Sequence, residues 1–315
     1  MSLFDLIREP VPTRRTSDLL TEDHPLRPYP PIRPFESSLW TRGLAFIGVF
    51  LVVAIVYTSI SFAATGMFTL SLASSAIMEL TGIIAAYCVV VMLIEKRTDP
   101  VELSGARLGG LLKGILFGAV LVAACMGVIA LFGSYRITGI DTGYSWWLDL
   151  LALGVVAGIS EELLIRGIIF RLAEEGLGSW GAVCFSALIF GAMHMSNPGG
   201  TWWVALAIAI EAGILFATVY ILTRSLWWCI GVHFAWNIAE GPVFGSPVSG
   251  NPGDGSFFIA SWSGPEILTG GGFGMEASIV PVVLLGAIGI AALVYAHVTG
   301  IMVAPIWVRK TLLTR

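Results

Sequence analysis

Two adjacent glutamates and an arginine interrupt a long apolar segment, residues 146–172, and could take part in chemistry there. Glu162 and Arg166 are four positions apart, so a helix places them on one face, where they can neutralise each other. Glu161 lies about 100° around the helix axis and has no such partner. An unpaired carboxylate in an apolar segment is a candidate for proton transfer. The alternative for both acids is a structural contact between helices.

Two histidines and an asparagine on other apolar segments could join this group. Phe190 and His194 lie on one segment, and His233 and Asn237 lie four positions apart on another, so the latter two share a helix face. The chain has only four histidines. Counted from the segment ends at 1.5 Å per residue, Glu161 and the two histidines fall within about 10 Å of the bilayer midplane. We therefore expect these side chains to converge in one intramembrane cavity.

A set of Glu, two His and Asn indicates hydrolysis by an activated water molecule. A Glu–His pair can hold and deprotonate water, and a second His with an Asn amide can donate hydrogen bonds to an oxyanion. No Ser or Cys stands at an obvious elbow near these histidines, which disfavours a covalent acyl-enzyme. A zinc site could use one Glu and two His, but the chain has no H-E-x-x-H sequence. A proton relay in a transporter is a further alternative, although neither broken helices nor inverted repeats are evident.

The composition predicts that these residues lie inside a membrane. Of 315 residues, 56% are hydrophobic and 12% are charged, whereas an ordinary soluble domain has about 25% charged residues. Even a large soluble domain buries only about 75% of the surface of its chain, so the composition excludes a soluble enzyme, a disordered chain and a nucleic-acid binder. We predict an all-α fold, a polytopic helical bundle with about eight transmembrane helices of roughly 20 residues each. The predicted spans are 43–63, 74–94, 114–133, 146–172, 179–196, 202–222, 226–243 and 278–304.

Lysine and arginine residues predict the orientation of these spans, because cytoplasmic loops are rich in them. The loops 64–73, 197–201 and 244–277 contain neither residue, and the loop 134–145 contains only Arg136. The other loops, which alternate with these four along the chain, hold Lys96, Arg97, Arg107 and Arg224. We therefore expect both chain ends in the cytoplasm.

This orientation divides the chain into three parts. Residues 1–42 form a proline-rich cytoplasmic tail without fixed structure, residues 43–308 form the membrane domain, and residues 309–315 form a basic cytoplasmic C-terminus. The motif residues occupy 145–245 within the membrane domain.

Four further titratable residues fall on spans without belonging to this set. Glu211 is expected either to line the same cavity or to pair with a neighbouring helix, and Glu240 is expected near the outer rim. Glu79 and His297 lie on other spans, so structural pairing between helices is the expectation for both.

The motif residues resemble those of a known family over roughly 145–245. The patterns E-E-x-x-x-R, F-x-x-x-H and H-x-x-x-N are similar, in this order, to the three motifs of the CAAX-protease and bacteriocin-processing membrane family, also called the Abi or Rce1-like family. They are formed by Glu161, Glu162 and Arg166, by Phe190 and His194, and by His233 and Asn237.

This resemblance implies a metal-independent, glutamate-type intramembrane endopeptidase that uses no cofactor. It implies Glu161 as the catalytic glutamate, His194 as its water-activating partner, and His233 with Asn237 on the oxyanion side. The implied supporting residues are Glu162, Arg166 and Phe190.

The resemblance also implies a protein or peptide substrate, including one anchored in the membrane, and a location in the lipid bilayer of a bacterial plasma membrane. Eukaryotic members cleave prenylated C-a-a-X tails, but nothing in this sequence identifies prenyl recognition. A non-catalytic immunity or scaffolding protein of the same fold and a zinc-dependent membrane peptidase remain as alternatives.

Overall fold

A computed structural model describes residues 39–65, 72–97 and 99–308 of the chain. Most of the predicted tail 1–42, most of the predicted loop 64–73 and the basic C-terminus 309–315 lie outside the described residues. The first helix begins at Leu39 rather than at residue 43. Its first turn includes Arg42, which forms an ion pair with Glu95 in the loop after the second helix, so these residues belong to the bundle.

The described residues are mostly helical. The α-helices are α1 (Leu39–Thr65), α2 (Leu72–Cys88), α3 (Gly109–Leu131), α4 (Trp147–Asp149), α5 (Gly158–Glu162), α6 (Arg171–Met193), α7 (Trp202–Ile208), α8 (Leu215–Thr223), α9 (Leu226–Ile238), α10 (Glu266–Thr269) and α11 (Ile279–Val298). Wider π-helical turns cover Val89–Ile94, Leu150–Ala157, Leu163–Phe170, Ala209–Ile214 and Ala239–Val243. Short 3₁₀ turns cover Val101–Leu103, Gly105–Arg107, His194–Ser196, Gly271–Phe273 and Met275–Ala277.

Five described segments are long and apolar enough to cross a membrane: Leu39–Ala64, Ser74–Ile94, Gly105–Leu131, Trp202–Thr223 and Ile279–Val298. The protein is therefore a polytopic, integral membrane protein of helical fold. The remaining predicted spans, 146–172, 179–196 and 226–243, are largely helical but are not among these five. These three segments carry the motif residues. The total of eight spans stays a prediction.

The boundary between the fourth and fifth predicted spans is a sharp bend at Gly178. Its φ of 72° lies in the left-handed region, which favours glycine. A Cβ at this position would also lie 2.7 Å from the carbonyl oxygen of Val303. Gly178 therefore allows α6 to bend beside the segment that follows α11, and the part of α6 beyond the bend ends next to His194.

The helix that carries His233 packs against α3 through glycines. A Cβ at Gly231 would come within 2.3 Å of the Leu111 carbonyl oxygen, and a Cβ at Gly114 would come within 2.3 Å of the Trp228 carbonyl oxygen. Because no larger residue fits, the backbones of α3 and α9 approach closely, as small residues allow in membrane helix pairs. This contact sets the position of α9 in the bundle.

The loops segregate to the two ends of α3 as the basic-residue pattern predicts. Strands β1 (Tyr135–Ile140) and β2 (Phe258–Trp262), which come from two predicted outer loops, form an antiparallel pair just beyond the end of α3. At the start of α3, Arg107 donates hydrogen bonds to the backbone carbonyls of Thr223 and Arg224. Predicted outer loops thus meet at one end, and predicted cytoplasmic loops meet at the other.

Buried ion pairs hold the predicted cytoplasmic end together. Arg171 Nη1 lies 2.6 Å from Glu95 Oε2, and Arg42 Nη1 lies 3.1 Å from Glu95 Oε1. Arg97 Nη1 donates to Glu102 Oε1 at 2.7 Å. Burial by itself raises the pKa of Glu102, but the Arg97 guanidinium outweighs burial and lowers it to about 2. These contacts join α1, the loop after α2 and the start of α6.

Candidate active site

Glu162 lies at the centre of a buried hydrogen-bond network on the helix 147–170. Arg166 Nη1 donates to Glu162 Oε1 at 2.8 Å, so the ion pair that the four-residue spacing predicts is present. His233 Nδ1 lies 2.9 Å from the same oxygen. Because a carboxylate accepts, Nδ1 carries the hydrogen in this contact, which holds the imidazole ring in one orientation. Glu162 and Arg166 have no exposed side-chain surface.

The guanidinium of Arg166 lies between two aromatic rings. Its central carbon is 4.9 Å from the centroid of Phe190 and 5.1 Å from that of Phe216. Such cation–π contacts stabilise a desolvated cation. Phe190 thereby connects the second motif with the first.

Glu161 lies outside this hydrogen-bond network, at its edge. Its side chain is 24% exposed, and its Oε2 lies 3.9 Å from His233 Nε2, beyond hydrogen-bond distance. Among the described residues, Oε2 has no hydrogen-bond partner. The two neighbouring glutamates therefore differ in environment: Glu162 is fully buried and hydrogen-bonded, whereas the side chain of Glu161 is partly exposed and its buried Oε2 has no hydrogen bond among the described residues.

His194 begins the short 3₁₀ turn that ends α6. Its Nδ1 lies 2.8 Å from the carbonyl oxygen of Phe190. Since a carbonyl only accepts, Nδ1 carries the hydrogen, and Nε2 of the neutral ring is left as an acceptor. A close contact between α6 and α7 positions this turn, because a Cβ at Gly191 would lie 2.0 Å from the Ala205 carbonyl oxygen.

Asn237 lies on α9 one turn after His233, as its spacing predicts, but its amide is already engaged. Asn237 Nδ2 donates to the Leu153 carbonyl oxygen at 2.9 Å. The side chain is buried, and one Nδ2 hydrogen remains for another acceptor.

A cavity of about 1020 Å³ contains Glu161 and His194 in its lining. Neither His233 nor Asn237 lines it, so the structure brings together in the cavity only two of the four predicted catalytic residues. His233 lies behind Glu161, with its Nε2 3.9 Å from Glu161 Oε2. The lining is mostly apolar, and helix α1 supplies one side of it with Leu39, Trp40, Gly43, Phe46, Ile47, Phe50 and Leu51.

Sequence reasoning missed Glu79 as a member of this site. Glu79 lies on α2 and lines the cavity together with Ser160 and Glu161, so it borders the cavity besides interacting with Ser160 of another helix. The sequence feature that could have identified Glu79 is its position inside an apolar span, because an ionisable residue within a membrane is a candidate functional residue. His297, by contrast, forms an interhelical contact, since Trp180 Nε1 donates to its Nδ1 at 3.4 Å.

Glu211 does not line the cavity. It is 1% exposed, lies within electrostatic reach of Glu276 and Glu240, and has no hydrogen-bond partner for either carboxyl oxygen among the described residues. Glu240 is also buried, and it accepts from Ser246 Oγ at 3.1 Å, so it contacts the predicted outer loop. Of the two expectations for Glu211, cavity lining is wrong, and its neighbours are acids rather than cations.

The candidate residues do not form a metal-binding constellation. In the described part of the chain, no group of three or more His, Cys, Asp and Glu side chains is arranged to hold a metal ion. His233 Nδ1 and His194 Nδ1 are both engaged in hydrogen bonds within the protein.

Residues 143–239 match the sequence model of the family described as Type II CAAX prenyl endopeptidase Rce1-like. The chain therefore contains a domain of this family, and the resemblance indicated by the three motifs is confirmed. The matched segment includes all seven motif residues, but it does not include Glu79. Comparisons with curated proteins and with solved structures give no match.

Proposed function

We propose that this protein is a metal-independent intramembrane endopeptidase that cleaves a peptide bond of a protein or peptide substrate. The observation that carries the proposal is the cavity position of Glu161 and His194, with Glu161 next to the ring of His233. The family of the matched domain supports a peptidase. Glu161, His194, His233 and Asn237 are the proposed catalytic residues, and Glu162, Arg166 and Phe190 hold them in place.

In the proposed reaction, Glu161 and His194 hold the attacking water molecule. The water donates one hydrogen to the Glu161 carboxylate and the other to His194 Nε2, which accepts because Nδ1 donates to Phe190. Glu161 takes a proton as the water oxygen attacks the carbonyl carbon of the peptide bond. When the tetrahedral intermediate collapses, the C–N bond breaks and the proton passes from Glu161 to the leaving amine. No metal ion enters this balance.

His233 and Asn237 stabilise the oxyanion of the intermediate in this proposal. Because His233 Nδ1 already donates to Glu162, its Nε2 donates only when the ring is doubly protonated. The imidazolium and Arg166 then balance the charges of Glu161 and Glu162, which removes the cost of unpaired buried charge. Asn237 donates to the oxyanion with the second Nδ2 hydrogen, which its hydrogen bond to Leu153 does not use. Such donors stabilise charge that develops in the transition state.

We also propose eight membrane spans with both chain ends in the cytoplasm of a bacterial cell. The support is the segregation of predicted outer and cytoplasmic loops to opposite ends of α3. Helix α1, which supplies one side of the cavity, has little contact with the rest of the protein, since only 6% of its most apolar stretch is buried. A substrate anchored in the membrane can approach from that side.

Substrate trapping tests the proposed activity. Glu161→Ala is expressed in native membranes in place of the wild type, and peptide mass spectrometry compares the two. A protein that accumulates uncleaved only in Glu161→Ala membranes, and that purified wild-type protein then cleaves, supports the proposal.

The matched control is Glu266→Ala, the same change at an exposed residue of the loop 244–277. It should leave the fragment pattern as in the wild type. If Glu161→Ala and wild-type membranes contain identical fragments, and the purified protein cleaves none of the candidates, the protein is a non-catalytic member of the family and the proposal is refuted.

A further inference from the structure

Glu79 is a second carboxylate in the cavity, on a helix that the family match does not cover. It lies on α2, lines the cavity, and is close enough to Ser160 and Glu161 to interact with both. Its side chain is only partly buried, so it is accessible to the contents of the cavity. The proposed reaction uses only the motif residues and assigns no role to Glu79.

In the part of the chain that the structure describes, Glu79 forms no ion pair with a cation. Among the described residues, the arginines at positions 42, 97, 166, 171 and 224 form ion pairs with other glutamates, and no ion pair includes Glu79. The described lining of the cavity contains neither Lys nor Arg. Its other polar residues besides Glu161 and His194 are Ser75, Ser160, Ser196 and Asn197.

This charge distribution selects for a cation. In the proposed mechanism, Glu161 and Glu162 are balanced by Arg166 and protonated His233, so Glu79 is the excess negative charge of the site. A carboxylate in a largely apolar cavity repels an acidic group and attracts a basic one, because the low dielectric strengthens both interactions. Because the described lining of the cavity contains no Lys or Arg, a basic side chain of the substrate would supply the cation that pairs with Glu79.

We propose that Glu79 is a specificity-determining residue that binds a Lys or Arg side chain of the substrate next to the scissile bond. This inference rests on the proposed function. Glu79 lies beside Ser160, which directly precedes Glu161, the residue that holds the attacking water. An extended chain advances about 3.3–3.6 Å per residue, so the basic residue lies within about two positions of the bond that is cleaved. The remainder of the substrate contacts the apolar lining.

Matched peptides test this proposal in two independent assays. Each peptide has the same apolar sequence and carries Lys, Gln or Glu at one position within two residues of the scissile bond. Cleavage is measured as kcat/KM, and binding is measured separately by fluorescence polarisation of labelled peptides. For the wild type we expect the Lys peptide to be preferred over the Gln peptide by roughly tenfold in Kd and in kcat/KM, and the Glu peptide to be the weakest.

Glu79→Gln should reduce the ratio between Lys and Gln peptides to about one, and Glu79→Lys should favour the Glu peptide. Glu79→Asp should restore part of the Lys preference. Ser75→Ala is the matched control, because Ser75 lines the cavity one helical turn before Glu79 without carrying charge. The Lys preference should persist in this variant. Thermal unfolding of each variant establishes that it is folded.

The two assays separate this inference from the proposed function. If no peptide is cleaved but Lys binding is preferred and depends on Glu79, Glu79 binds a basic side chain as inferred, whereas the peptidase proposal and the placement beside a scissile bond fail. If peptides are cleaved but neither assay shows a Lys preference, the inference is overturned and the peptidase proposal stands. A Glu79→Gln variant that weakens all three peptides equally also overturns it, because a purely structural contribution would have that effect.

Discussion

Substitution by glutamine should have different effects at the two adjacent glutamates: loss of hydrolysis at Glu161 and loss of stability at Glu162. Glu161→Gln keeps the shape of the side chain but cannot accept a proton, so we expect a folded protein without hydrolysis. Glu162→Gln removes the charge that accepts hydrogen bonds from Arg166 and His233 at 2.8 and 2.9 Å. Both partners are buried, so the loss should appear as reduced stability.

The size of this loss follows from the contacts of Glu162. A hydrogen bond to a charged group contributes about 1.5–3 kcal/mol and a neutral one about 0.5–1.5 kcal/mol, so two weakened bonds cost about 2–3 kcal/mol. Arg166 also keeps its charge without a carboxylate partner, and breaking a buried pair costs about 3–5 kcal/mol. Its contact with the Ala212 carbonyl oxygen at 3.2 Å and the rings of Phe190 and Phe216 offset part of this cost. We therefore expect a stability loss of about 3 kcal/mol, roughly a hundredfold in the folding equilibrium.

The assay measures unfolding by tryptophan fluorescence and peptide cleavage on the same detergent preparations. Below its unfolding temperature, Glu162→Gln should retain measurable hydrolysis, whereas Glu161→Gln should have none at any temperature. Glu266→Gln is the control for loss of an exposed carboxylate and should behave as the wild type. If Glu161→Gln cleaves at the wild-type rate, or if Glu162→Gln is fully stable but inactive, the assignment of the base to Glu161 is refuted.

Four further predictions address pH, the oxyanion, metal and topology. The folded-state pKa of Glu102 is lowered to about 2, so its pair with Arg97 stabilises the protein fully above about pH 4.5. About 3 kcal/mol of folding stability should be lost as the pH falls from 4.5 through 2. The Glu102→Gln variant should lack this pH-dependent loss when its acid unfolding is compared with that of the wild type. Asn237→Ala should lower kcat by about 10²–10³-fold, and loss of its bond to a backbone carbonyl should cost about 1 kcal/mol in thermal unfolding. Cleavage by the purified protein should persist in a chelator, and activity lost to the chelator and restored by zinc would identify a zinc peptidase instead. Reporters at Arg315 and near Asn251 should report opposite sides of the membrane, with Arg315 cytoplasmic, and same-side signals would mean that the span count is wrong by one.

The resemblance to the family could be recognised from the sequence because its signals are local. Helical spacing of four residues predicts the pair Glu162–Arg166 without knowledge of any other helix, and the structure contains this pair. The same spacing places His233 and Asn237 on one face of α9. The boundary between the fourth and fifth predicted spans also has a local cause, since Gly178 can adopt a φ that other residues rarely adopt.

Contacts between helices could not be derived in this way. Asn237 lies on the predicted face of α9. The acceptor of its hydrogen bond, the Leu153 carbonyl oxygen, depends on how α9 packs against the turn that contains Leu153. Spacing does not indicate which glutamate His233 bonds; the ring donates to Glu162 and only approaches Glu161. Of the two alternatives for Glu211, cavity lining was wrong for the same reason: its position along the helix is predictable from sequence, but the direction of its side chain is not.

The sequence by itself determined that the protein is a helical membrane protein with polar motif residues at helical spacing, because hydropathy and i, i+4 geometry depend only on nearby residues. Only the tertiary structure decided that Glu79 shares a cavity with Glu161 and His194. The direction in which each helix turns its polar residues depends on packing between distant segments, such as the close approach of α3 and α9 at Gly114 and Gly231. In a bilayer the apolar faces of helices are interchangeable toward lipid, so small residues and buried polar contacts, rather than hydrophobicity, select one arrangement.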